Sequence, residues 1–108
     1  MSFADTPEPP YYAVIFTARN SGIDPAGYGK RVGEMLDLAT KQPGYLGAES
    51  VTQDNVEITV SYWKDKDSIR GWRDNAEHKV SQQMGRDTWY DGFHLRVALV
   101  ERASTFPR

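Results

Sequence analysis

All three tryptophans of this 108-residue chain, Trp63, Trp72 and Trp89, fall between Tyr62 and Tyr90, in the same stretch as His78, Gln82 and Arg86. Large aromatic rings beside a few polar groups are what a pocket for a flat organic molecule needs: apolar walls, and hydrogen-bonding groups that orient the guest. In such a pocket His78 serves as general base or hydrogen-bond donor, because imidazole titrates near neutral pH. Arg86 supplies a fixed cation for a phenolate, with Gln82 and Tyr90 as neutral partners. Each residue also has a plainer explanation. Core packing accounts for Trp72 and Trp63 taken singly, His78 can be a partly exposed helix residue, and Arg86 can meet the carbonyls of a helix end. Tyr90 can be part of the hinge before the last strand. As a group, however, the indoles favour an aromatic-walled cavity more than any one of them does.

Other chemistries find no support. There is no cysteine, hence no disulfide framework, thiol nucleophile or thiolate metal site. The two histidines have neither HExxH nor HxH spacing, which argues against a dedicated metal site. No GxSxG nucleophile elbow occurs, and the GxxG spacing of Gly44 and Gly47 lacks the basic neighbours of a phosphate or RNA clamp. A net charge of −2 gives no attraction for nucleic acid or an anionic membrane. No apolar run approaches the length of a membrane span, and no signal-peptide pattern opens the chain, so a cytoplasmic address is expected.

The elements that must position these residues follow from periodicity. Met1 to Pro10 carries three prolines and reads as a flexible arm. The folded domain is expected over residues 11–103, followed by a short tail at 104–108. Tyr11 to Arg19 is a strand, apolar on both alternating sets, so both of its faces should be covered. Asp24-Pro25 reads as a helix cap and first turn, with Tyr28, Val32, Met35, Leu36 and Ala39 along the buried stripe and a stop before Pro43-Gly44. Tyr45 to Thr52 and Val56 to Trp63 form a hairpin around Gln53-Asp54-Asn55. Asp65 caps a second helical region running to about Arg86, either continuous or interrupted at Asn75. Gly92 to Arg102 is the last strand, with His94 on the side opposite Phe93, Leu95 and Val97, in a structural or interface position.

The order strand, helix, strand, strand, helix, strand predicts an α+β, ferredoxin-like βαββαβ domain: a four-stranded antiparallel sheet with both helices on one face. Two helices cannot cover both faces, so a second copy of the sheet is expected on the other, giving a homodimeric α+β barrel.

The strand Tyr12–Phe16, the segment Gln42-Pro43-Gly44-Tyr45-Leu46-Gly47 with Glu49-Ser50, and Thr59–Trp63 resemble the antibiotic biosynthesis monooxygenase family. So do Ile69 with Trp72, Ala76-Glu77-His78, Gln82, Gly85-Arg86 and Trp89-Tyr90. The resemblance spans roughly Tyr11 to Arg102. It implies dimeric α+β barrels, and enzymes that oxygenate phenols or quinols with dioxygen as co-substrate and without metal, flavin or haem. On that basis His78 and Arg86 would assist deprotonation, and Trp63, Trp72, Gln82, Trp89 and Tyr90 would contact the small aromatic substrate. Similar haem-degrading proteins place an iron-ligating histidine late on the second helix, where this chain has Gln82, an amide. A non-catalytic, small-molecule-binding or stress-response dimer is the alternative.

Overall fold

The computed structural model describes residues 3–22, 25–79 and 90–106. Its elements run β1 (Tyr11–Asn20), α1 (Pro25–Thr40), β2 (Tyr45–Gln53), β3 (Val56–Trp63), α2 (Lys66–Lys79) and β4 (Tyr90–Val100). The four strands form one antiparallel sheet in the order β2-β3-β1-β4, which is the ferredoxin-like arrangement expected from the pattern. β1 is central because it carries apolar residues on both faces: Val14 and Ala18 are buried on the helix side, Tyr11 and Ala13 on the other.

The core lies between the helices and the Tyr11 end of the sheet. Val14, Ala39, Trp63 and Ile69 form its buried centre, with Tyr12, Tyr45 and Trp72 packed around them. Ala39 anchors α1, whereas Leu36 is 43% exposed and does not belong to the buried stripe. The reason is angular: at about 100° per residue Leu36 lies some 60° round the helix from Ala39, at the stripe's edge. The side chains of Tyr28, Val32 and Met35 lie outside the described residues, as does Asp24.

α2 runs through Asn75 without a break. Asp65 is its cap: one carboxylate oxygen accepts both the Ser68 amide at 2.8 Å and the Ser68 hydroxyl at 2.7 Å. These hydrogen bonds hold the Asp65 carboxyl below its ordinary range. Upstream, Gly44 turns the chain with a φ of +84°. The β2–β3 hairpin closes on two residues, Asp54 and Asn55, at φ of 53° and 66°. Both values are left-handed, as a tight type I′ turn requires.

β4 begins at Tyr90 and ends at Val100, two residues earlier at each end than the pattern suggested. At its start Tyr90 pairs with Asn20 while Gly92 pairs with Arg19, so Asp91 is an extra residue and β4 is bulged there.

Candidate functional site

Register decides which side chains meet. Across the Tyr11 end of the sheet, Tyr12, Trp63 and Tyr45 stand side by side on β1, β3 and β2. Trp63 is 0% exposed and its indole N–H donates to Ser61 Oγ at 2.9 Å, so both its apolar body and its polar handle are satisfied. Tyr45 meets it edge-on at 5.4 Å between ring centroids, and burial pushes the Tyr45 phenol above its ordinary pKa. Trp72, from α2, lies against the Trp63 ring at 5.5 Å and 36°. Trp63 is thus sealed inside the core, with Trp72 against it. The Trp72 Nε1–H is buried with no acceptor among the described residues. A buried donor left unpaired costs about 1–3 kcal/mol.

A cleft of about 320 Å³ opens between α2 and β4. Its walls are Lys66, Ile69, Arg70 and Arg73 from α2, facing Val97 on β4. The α2 residues recur at i, i+3, i+4 and i+7, which is one helix face. Strand alternation puts Phe93, Leu95 and Leu99 on the same side as Val97, and all four remain 40–49% exposed. Lys66 Nζ lies over the Tyr12 ring, 5.7 Å from its centroid. Arg70 and Arg73 pair with Asp67 at 3.3 Å and Asp74 at 3.6 Å, all on exposed side chains. Such pairs are weak and exchange readily for another anion.

The opposite face of the sheet carries a separate polar cluster. Tyr62 donates to Glu49 Oε1 at 2.7 Å, and Glu49 Oε2 accepts the Ala4 amide at 2.9 Å. Thr6 Oγ1 is 3.0 Å from the Tyr11 hydroxyl, and the Tyr11 ring meets Tyr62 edge-on at 5.8 Å. The N-terminal arm therefore lies along this face. Gly47 makes room for it, since a Cβ there would come within 2.9 Å of the Ala4 methyl. Partial burial and the Glu49 carboxylate push Tyr62 up to about 12.

Of the expected site residues, the structure brings Trp63 and Trp72 together. His78 stands in the last turn of α2 and Tyr90 opens β4, but their side chains lie outside the described residues. Gln82, Arg86 and Trp89 also lie outside them. His94 faces away from the helices, opposite Thr17, and is exposed. Sequence reasoning overlooked Lys66, Arg70 and Arg73. Their common helical face with Ile69 was the available signal, hidden because a charged helix face ordinarily reads as a solvated one.

No profile of a known protein family matches the sequence. The uncharacterized protein YqjZ of Bacillus subtilis is 49% identical over 102 residues, covering 94% of this chain and 89% of that protein. Jasmonate monooxygenase ABM of Pyricularia oryzae is 40% identical over 43 residues, which are 40% of this chain but only 20% of the fungal protein. SnoaB, a cofactor-independent oxygenase from Streptomyces nogalater, superposes with a TM-score of 0.68 at 16% identity, over 93% of this chain and 100% of its own. With a full-length relative at that identity and a fold shared from end to end with SnoaB, the chain belongs to the YqjZ family, on the fold of the antibiotic biosynthesis monooxygenases.

Proposed function

We propose that the protein is a cofactor-independent monooxygenase that oxygenates a phenol- or quinol-type molecule with dioxygen, working as a homodimer. The observation that carries this is the end-to-end likeness to an oxygenase of that kind, SnoaB, combined with an indole stack between α2 and the sheet, Trp72 against Trp63, whose Trp72 N–H has no acceptor among the described residues. In this chemistry the substrate supplies the electrons. A phenolic O–H loses its proton, the anion passes one electron to dioxygen, and the aryloxyl radical and superoxide recombine at a ring carbon. The peroxide anion so formed takes back the proton, and the hydroperoxide, at a carbon that bears a hydrogen, loses water to leave a carbonyl.

Two demands fall on the protein. It must lower the phenol's pKa from about 10, for which His78 as base and Arg86 as cation are the candidates. It must also keep the ring away from bulk water, with Trp72 as a wall and Gln82, Trp89 and Tyr90 completing the contacts. The homodimer is supported by the uncovered sheet face, where Val51, Val56 and Ile58 are 58%, 43% and 42% exposed.

Oxygen consumption with a panel of quinols and anthrones under air tests the proposal. Turnover of at least one member is expected, with His78→Ala lowering its rate about 100-fold, the scale of a lost general base. No uptake above the buffer blank for any substrate, even where melting shifts report binding, would leave the non-catalytic alternative standing instead.

A further inference from the structure

We propose that the cleft between α2 and β4 takes an apolar molecule carrying a carboxylate, with its hydrocarbon body on the β4 strip and its anion against Arg70 and Arg73. This goes beyond the oxygenase proposal by assigning a ligand class to a cleft that proposal does not use, and the binding does not rest on it.

Three observations converge on this ligand. First, the cleft's volume of about 320 Å³ is at the lower end of the range for small-molecule sites, enough for one or two rings. Second, it has an apolar part: Ile69 and Val97 line it, and Val97 belongs to the β4 row Phe93, Leu95, Val97, Leu99, whose other members lie beside the cleft with 40–49% of their surface exposed. Third, the described charged groups that line it, Lys66, Arg70 and Arg73, are all cations, in a chain whose net charge is −2. Asp67 and Asp74 hold the two guanidinium groups only through exposed contacts of 3.3 and 3.6 Å, and neither lines the cleft. A guanidinium presents a planar fork that fits the two oxygens of a carboxylate, and it exchanges a water-screened partner for a ligand at little cost. Lys66 is held over Tyr12, so the third positive charge lies close to the sheet at one end of the cleft.

The test compares naphthalene-2-acetate with 2-naphthaleneethanol, which has the same ring system but no charge, by calorimetric titration at pH 7. The acid should bind roughly tenfold more tightly than the alcohol, and the margin should shrink as salt is raised from 50 to 500 mM. Arg70→Met and Arg73→Met should each weaken the acid about three- to fivefold without affecting the alcohol, and the double variant should abolish the difference. The Val97 methyl resonances should shift with either ligand, and circular dichroism should be unchanged in the variants. Equal affinity for acid and alcohol, a preference that survives the double substitution, no binding of either, or no response at Val97 would each overturn the proposal. Because no oxygen is consumed in this measurement, its failure is distinct from a failure of turnover.

Discussion

Tyr62 shows how little of a residue's behaviour is written in its type. A tyrosine on an exposed strand face would titrate near 10, but partial burial and the Glu49 carboxylate hold this one to about 12. Linkage gives the consequence. The folded state keeps the phenolic proton more tightly than the unfolded chain, so the stabilisation is complete below pH 10 and is lost as pH rises from about 10 towards 12. Urea unfolding between pH 8 and 11.5 should show stability declining at the alkaline end, and Tyr62→Phe should flatten that decline. Identical pH profiles for the two proteins would mean that burial and Glu49 do not hold the Tyr62 phenol above its ordinary pKa in solution. Trp63 gives the complementary case: its type fits a core position or a pocket wall, and its register beside Tyr12 and Tyr45 buries it entirely.

Among the elements, the junction at Gly44 ties the sheet to the cleft-bearing helix. The Gly44 carbonyl accepts the Lys64 amide at 2.8 Å, and a Cβ at Gly44 would collide with the Ser68 hydroxyl, which is itself bonded to the Asp65 cap. Gly44→Ala should therefore destabilise the fold by about 2 kcal/mol or more, from the left-handed φ and the collision together. Gly33→Ala makes the contrast, since a methyl there meets open space within α1 and should stabilise by up to about 1 kcal/mol. Thermal melts of the two variants should move in opposite directions. A melt unchanged by Gly44→Ala would show that α2 tolerates a shift of its first turn.

At the scale of the whole molecule the question is what covers the second sheet face. The N-terminal arm occupies the end near Tyr11 and Tyr62, leaving Val51, Val56 and Ile58 exposed at the other. Light scattering at micromolar concentration should return twice the 12.2 kDa of one chain. Ile58→Asp, which sets a charge in that face, should return a single chain with its helix and strand content intact. A wild-type monomer under those conditions would refute the paired-sheet assembly. Among the described residues, no helix is long and apolar enough to cross a membrane.

Local rules were enough for the architecture. Period-two and period-3.6 apolar patterns, the Asp65 cap and the Asp54-Asn55 turn each act within a few residues, so element order, hairpin and fold class could be read from the chain directly. The candidate site depends on contacts between elements distant in sequence. Whether Trp63 lines a space or fills one depends on its neighbours across β1 and β2. Three cations on α2 become the rim of a cleft only because β4 returns beside β1 and brings Val97 opposite them. Sequence spacing determines which face of an element a residue occupies. What that face meets is decided by packing, through the balance of apolar burial and steric fit across the whole sheet.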